Sequence, residues 1–339
     1  MRFDAVIGQD RTKQFLQRTV EQNRLGHSYL FSGPDGVGKT LLALDLAKSL
    51  FCRAPGERPC GACRDCRMME HETHPDLMLV QALEEKRLIG IEQGRELSRF
   101  LTIMPVQAER RVAIIREAEN LTEEAGNSLL KTLEEPASFA LLILTTSRVQ
   151  SLLPTIRSRA QEVRFSPLTP EQIRRILGAR PDLTEEETLF AARFANGSAG
   201  RAFGILDSGG REVFNEVIAP LLAAARGDAF ELSDSVTDWA RSAGGKSLEP
   251  QRERVREFLR LLSCTWRDLL AKRVGASELS LLPEQAAQWA ARPGAPGVSR
   301  LLRIEEAVWN ARKMIDSNVA MNLALQELFE RIARIQKAA

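Results

Sequence analysis

The stretch SYLFSGPDGVGKT, residues 28–40, decides the fold because it joins a short apolar run to a glycine-rich loop and a helical pattern. The loop fits the spacing G-x-x-x-x-G-K-[ST], and its phosphate-binding candidates are Gly33, Gly36, Gly38, Lys39 and Thr40. Glycines let backbone N–H groups curl around a phosphate, and the following helix N-terminus adds partial positive charge. We expect Lys39 to reach the β- and γ-phosphates of ATP, or the β-phosphate of ADP, and Thr40 to offer its hydroxyl to Mg²⁺.

Short apolar runs alternate with helical patterns over about the first 165 residues. The strand-like runs are SYLFSG (28–33), LMLVQA (77–82), RVAIIR (111–116) and ALLILTT (140–146). Strands that alternate with helices indicate a parallel sheet covered on both faces. Residues 166–206 contain no strand-like run, and the chain after 212 follows a helical period that Pro and Gly interrupt at 276–299. The pattern predicts an α/β domain followed by helices only.

Composition sets limits on the function. A chain of 339 residues is long enough for two or three domains. The net charge of +2 is too small to indicate nucleic acid or an acidic membrane as a partner. The longest apolar runs are too short to span a bilayer, and the N-terminus lacks the apolar segment of a signal peptide. We therefore expect a cytoplasmic location and no membrane partner.

Four cysteines lie within 15 residues of one another, and they are Cys52, Cys60, Cys63 and Cys66. Two C-x₂-C spacings place thiolates close enough for a tetrahedral ion with bonds of about 2.3 Å. Four sulfur ligands leave no open position, so the pattern favours a structural Zn²⁺ over a catalytic one. The alternative is four unligated thiols in a surface loop. Cys264 lies in an apolar helical face, where a core position is expected.

Several motifs together carry a resemblance to a known family. GHSYLFSGPDGVGKT (26–40), the cysteine cluster, NSLLKTLEEP (127–136) and LLPTIRSRA (152–160) occur in this order. They resemble the clamp-loader subunits of bacterial DNA polymerase III, which are AAA+ proteins. The resemblance implies an AAA+ α/β domain at 1–166 with a zinc module inserted at about 52–66. It also implies a helical lid at 167–207 and an all-helical collar for oligomerisation at 208–339.

The resemblance also implies partners. Subunits of this family form a heteropentamer, in which gamma/tau motor subunits and delta open a sliding clamp onto primer-template DNA. One type, delta prime, is a stationary subunit that presents an arginine to the nucleotide site of its neighbour. The chain is most similar to this type, since a motor subunit would have Asp-Glu where this sequence has Arg116 and Glu117.

Arg116 stands where a carboxylate usually holds Mg²⁺. At about 5 Å and an effective dielectric constant near 20, each unit charge changes the energy of the ion by several kcal/mol, so the exchange is severe unless the side chain turns away. Glu117 remains at the position of a water-activating base, and without a well-held metal it is vestigial. We therefore expect weak or absent hydrolysis. The alternative is a motor-type AAA+ ATPase in which Arg116 swings clear.

By the same resemblance, Arg159 is the arginine that acts in trans, although Ala160 replaces the cysteine that usually follows it. The alternative is an ordinary surface arginine beside Arg157. Thr145 or Thr146 falls where a hydroxyl would contact a γ-phosphate or its water. Arg201 lies near a lid position for a further phosphate contact, with a spacing one residue too long. A direct DNA-binding module is a weaker alternative, because the net charge is low.

Overall fold

The computed structural model describes residues 1–82, 88–224, 228–244 and 248–337. Its chain divides into two compact units. The first unit comprises Met1–Ile176 and Gly197–Gly200, and the second comprises Leu177–Asn196 and Arg201–Ala339. The division into a 1–166 domain, a lid and a collar stays a prediction.

The first unit is built on a five-stranded sheet with the order β2-β3-β4-β1-β5. All of its strand pairs are parallel. The strands are β1 (Ser28–Ser32), β2 (Leu77–Val80), β3 (Arg111–Ile115), β4 (Ala140–Thr146) and β5 (Gln161–Arg164). The four apolar runs of the sequence are thus strands, and the parallel sheet is confirmed. The edge strand β5 was not predicted, because only one of its four residues, Val163, is buried.

Helices cover both faces of this sheet. The helices of the first unit are α1 (Asp10–Glu21), α2 (Lys39–Phe51), α3 (Arg64–Glu70), α4 (Ile91–Thr102), α5 (Glu123–Ser128), α6 (Leu130–Glu134), α7 (Pro154–Arg157) and α8 (Pro170–Leu177), with 3₁₀ turns at Ala118–Asn120 and Val149–Ser151. Alternate strand residues enter opposite cores, as strand geometry requires. Tyr29 and Phe31 lie in one apolar cluster, whereas Leu30 lies in the other. This unit has the parallel α/β architecture that the sequence predicts.

The described residues of the second unit form helices joined by turns and loops, and no strand lies among them. Its helices are α9 (Glu185–Phe194), α10 (Ala199–Asp207, which begins in the first unit), α11 (Gly210–Val213), α12 (Ala219–Ala224), α13 (Ala229–Gly244), α14 (Leu248–Arg273), α15 (Pro283–Ala290), α16 (Val298–Asp316) and α17 (Met321–Lys337), with a π-helical turn at Phe214–Ile218 and a 3₁₀ turn at Ser277–Leu279. The helical C-terminal region is therefore confirmed.

The helices α14 and α15 can be compared with what the sequence pattern predicts. The apolar face expected along α14 is buried, since Val255, Phe258 and Trp266 are each at most 2% exposed. The segment 276–299, expected to be broken by Pro and Gly, nevertheless contains α15. Its proline occupies the first helical turn, where the missing N–H costs nothing. Trp289 of α15 is 7% exposed and anchors the segment.

Candidate nucleotide site and metal centre

The glycine-rich loop lies at the carboxyl end of β1, where parallel sheets commonly bind ligands. The N–H of Gly33 donates to the carbonyl of Thr146 at 3.2 Å, which fixes the start of the loop beside β4. Gly36 has a φ of 69°, and a Cβ there would lie 2.4 Å from Ser198 Oγ. The conformation and this close approach therefore require glycine. They hold the loop in a curled form of the type that binds phosphate.

Lys39 is buried inside this loop, at 8% exposure. Its Nζ donates to the carbonyls of Gly33 and Pro34, at 2.7 Å each, and lies 3.6 Å from Asp35 Oδ1. Burial lowers the pKa of Lys39, and the charges of Asp35 and Glu119 oppose this shift. The ammonium group is thus held by loop carbonyls, and a phosphate would have to draw it from them.

Arg116 follows β3 and turns toward two polar side chains. Its guanidinium donates to Glu72 Oε1 at 3.0 Å and to Gln81 Oε1 at 3.1 Å. Gln81 follows β2, whereas the loop follows β1, and β3 and β4 lie between these two strands. The arginine therefore leans away from the loop. Its repulsion of a metal is weaker than the sequence suggests, but no carboxylate stands at position 116.

Glu117 and Thr145 are brought together at the ends of β3 and β4. The hydroxyl of Thr145 accepts from the N–H of Glu117 at 3.3 Å and donates to the carbonyl of Ile115 at 3.4 Å. Thr145 is 2% exposed, so its hydroxyl links two strand ends. The exposed Glu117 carboxylate accepts from Asn120 Nδ2 at 3.0 Å. Both groups stand at the carboxyl end of the sheet, as does the loop.

Sequence reasoning missed Glu119, a buried carboxylate whose negative charge raises the pKa of Lys39. Its side chain is 3% exposed, and Oε1 accepts from the N–H and Oγ of Ser147 at 3.1 and 2.7 Å. Burial raises the pKa of Glu119, but the hydrogen bonds from Ser147 and its neighbours bring it below the usual range. The signal was a second glutamate two residues after Glu117, ahead of a helical pattern.

Arg159 lies at the opposite end of the sheet. It precedes β5, whose residue Gln161 pairs with Tyr29 near the start of β1. The loop begins four residues beyond Tyr29, roughly 13 Å farther along the strand. Arg159 donates to Glu134 Oε1 at 2.6 Å and to the carbonyl of Thr155 at 3.1 Å. The structure therefore does not bring Arg159 to the phosphate loop of its own chain.

The four cysteines converge as their spacing predicts, with all Sγ atoms within 4.8 Å of one another. The Sγ atoms of Cys60 and Cys66 are 3.9 Å apart, and so are those of Cys52 and Cys63. Four sulfurs around one zinc at 2.3 Å would be separated by about 3.8 Å, so the donor set fits a tetrahedral ion. Backbone N–H groups lower the pKa of Cys60 to about 6, whereas burial raises that of Cys66 to about 12.

His74 and Arg201 have packing roles within their units. His74 is 2% exposed and stacks on Phe51, with ring centroids 4.1 Å apart. Its Nε2 is 3.5 Å from Asp65 Oδ1, which connects it to the helix that carries Cys66. Arg201 lines a cavity of the second unit together with Glu257 and Arg260.

Residues 8–169 match the family described as DNA polymerase III, delta subunit. Over 165 residues the chain is 41% identical to DNA polymerase III subunit delta' of Bacillus subtilis, which covers 49% of this chain and 50% of that protein. The predicted resemblance to subunits of DNA polymerase III, delta prime among them, is thereby confirmed for this part of the chain.

The chain is also similar to gamma/tau subunits of DNA polymerase III. The chain is 37% identical over 176 residues to DNA polymerase III subunit gamma/tau of Mycobacterium tuberculosis, covering 52% of this chain and 30% of that one. The chain thus spans half or less of the length of these curated relatives. A solved gamma subunit-related protein of Thermotoga maritima is 19% identical, with a TM-score of 0.47 and coverage of 95% of this chain and 99% of that chain. None of the described helices is both long and apolar enough to cross a membrane.

Proposed function

We propose that the chain is a clamp-loader subunit of bacterial DNA polymerase III that hydrolyses ATP poorly or not at all. Arg116 is the observation that carries this proposal. The loop keeps Lys39 and Thr40, but the position of the Mg²⁺ carboxylate holds a guanidinium paired with Glu72. Phosphoryl transfer depends on a metal that neutralises developing charge. ATP or ADP binding without efficient turnover follows.

The second part of the proposal is that Arg159 acts on a neighbouring subunit. Its position at the far end of the sheet from the loop supports a role in trans, because a guanidinium there is too far from the loop of its own chain to contact a phosphate bound in it. It is about one-third exposed, and its partner Glu134 is about half exposed, so both are open to exchange. An arginine supplied in trans stabilises transition-state charge and changes a neighbour's rate by about 10³–10⁵.

The cysteine cluster is proposed as a structural zinc site. Cys52 follows the last residue of α2 and Cys66 lies in α3, so an ion bound by Cys52, Cys60, Cys63 and Cys66 would tie the two helices together. When bound, zinc would supply cross-linking and no open coordination position.

The proposed assembly is a heteropentamer with gamma/tau and delta subunits, acting through the sliding clamp on primer-template DNA. In this proposal the α/β domain at 1–166 and the lid at 167–207 form the nucleotide site, and the collar at 208–339 forms the oligomer contacts. Similarity to the delta' and gamma/tau relatives supports this proposal.

A motor-type ATPase is the second candidate. Arg116 donates to Glu72 and Gln81, and this supports a site in which Thr40 holds the ion and Glu117 acts as the base. The 37% identity to gamma/tau favours the same candidate.

ATP turnover by the isolated chain separates the two candidates. The stationary subunit predicts turnover no higher than that of the Lys39→Ala variant. Binding of a fluorescent ATP analogue is followed in parallel, with loss expected in Lys39→Ala alone. Turnover that disappears with Lys39→Ala would instead identify a motor.

A further inference from the structure

A groove along the outer face of α1 has no role in the function proposed above. It has a volume of about 520 Å³, and the residues that line it are Arg11, Gln14, Phe15, Arg18, Thr19, Gln22, Arg24 and Gln161. No residue of the phosphate loop is among them. The groove forms because α1 lies beside β5, the edge strand, where Thr12 Oγ1 donates to the carbonyl of Arg164 at 3.0 Å.

The charge of the groove is one-sided. Three arginines line it, and no Asp or Glu does, in a chain with 45 acidic residues. Among the residues that the structure describes, the side chains of Arg11, Arg18 and Arg24 make no hydrogen bond or ion pair. Of the nearby acids, Glu162 is engaged by Ser32 at 2.7 Å and by Arg164. The three guanidinium groups are therefore free for an external anion.

The helical period places these groups in a row. Arg11 and Arg18 are seven residues apart, so they share one face at a separation of about 10 Å along the axis. Phe15 lies between them on that face and is 36% exposed. Its ring packs edge-on against the buried Tyr29, with centroids 6.5 Å apart, which fixes its position. An extended ligand along α1 would meet cation, aromatic ring and cation in turn.

We propose that this groove binds the backbone of single-stranded DNA, with a base against Phe15. Arginine pairs with phosphate through charge-assisted hydrogen bonds, and an aromatic side chain accepts a base of any sequence by stacking. Gln14, Gln22 and Gln161 add amide donors and acceptors that suit bases and phosphates alike. A duplex keeps its bases inside the stack, so it would leave Phe15 without a contact. An acidic peptide would use the arginines but not the ring.

The test is fluorescence anisotropy of a labelled dT12 oligonucleotide titrated with the full chain. Three phosphate contacts predict a slope of about −2 for log affinity against log salt, or about 16-fold weaker binding at 200 mM than at 50 mM. Arg11→Gln, Arg18→Gln and Arg24→Gln together should abolish the salt-dependent binding. The matched control replaces the exposed Lys272, Arg303 and Lys337 of the second unit by Gln, with the same change in charge, and should bind as the parent does.

Further variants define the class of ligand. Phe15→Leu keeps an apolar side chain against Tyr29 but removes the aromatic face, so it should weaken dT12 and leave a dodeca-glutamate peptide unaffected. Lys39→Ala should bind dT12 normally, because the groove is separate from the phosphate loop. The proposal is overturned if dT12 does not bind, if the control variant loses as much affinity, or if the peptide binds as tightly as dT12 and Phe15→Leu changes neither.

Discussion

Removal of metal from the cysteine cluster should lower the melting temperature of the first unit. Cys52 and Cys66 are buried, and the Sγ atoms of the cluster lie within 4.8 Å of one another, so without a cation four thiols share one small space. A ligand at 1,000 times its Kd stabilises the native state by about 4 kcal/mol. For a unit the size of Met1–Ile176, this corresponds to a fall of roughly 8–16 °C.

The assay combines zinc analysis of the purified chain with thermal unfolding followed by circular dichroism, with and without a chelator. One zinc per chain and a chelator-dependent fall are expected. Cys60→Ser should reduce both the zinc content and the melting temperature. Cys264→Ser is the matched control, since this thiol lies outside the cluster. A melting temperature that chelator leaves unchanged, or an equal zinc loss in the control, would refute the reasoning.

Three further predictions concern single carboxylates and Arg116. Asp76→Asn should cost about 3 kcal/mol, because the buried carboxylate accepts from three backbone N–H groups at 2.7–2.8 Å and lies 3.6 Å from Arg111 Nε. Burial raises the pKa of Asp76, but these hydrogen bonds bring it below the ordinary value. The stabilisation by the Asp76 carboxylate is therefore present above about pH 4 and is lost as the pH falls further. In urea unfolding, the difference in stability between parent and variant should be smaller at pH 3 than at pH 7. Arg116→Asp should raise nucleotide affinity roughly tenfold over Arg116→Ala in calorimetry with Mg²⁺, since a carboxylate attracts the ion, and equal affinities would contradict this. Glu134→Gln should change the free energy of unfolding by no more than about 1 kcal/mol and should raise the ATP turnover of the neighbouring subunit, because no carboxylate then competes for Arg159. A fall in turnover would show that Glu134 instead orients the arginine.

Much of the first unit follows from local pattern. Strands β1, β3 and β4 are buried at every residue, because a parallel sheet covered on both faces buries every side chain of a central strand. Strand β2 lies at an edge, but its sequence LMLV is apolar throughout. Strand β5 was not predicted, because its sequence QEVR has one buried apolar residue and therefore lacks an apolar run. The sequence predicted that Pro and Gly interrupt the helical pattern at 276–299, but it did not show that Pro283 starts the helix α15.

The candidate sites divide in the same way. The loop and the cysteine spacing were predictable, because each places its groups within one or two turns of chain. The partners of Arg116 were not, since Glu72 and Gln81 are 44 and 35 residues away in sequence and meet it only through the order of the strands. The row of Arg11, Phe15 and Arg18 follows the helical period, but the groove that it lines lies beside β5, which the sequence pattern did not show.

The central claim is that Arg159 acts on a neighbouring subunit. The most direct measurement is ATP turnover by gamma/tau subunits assembled with this chain, delta, clamp and primed DNA, using parent, Arg159→Ala and Arg157→Ala chains. Arg157 is the matched control, because it lies two residues away and donates to Gln150 Oε1 at 2.9 Å. The account predicts a large loss of turnover with Arg159→Ala, assembly unchanged by size-exclusion chromatography, and parental turnover with Arg157→Ala. Equal turnover in all three assemblies would contradict it.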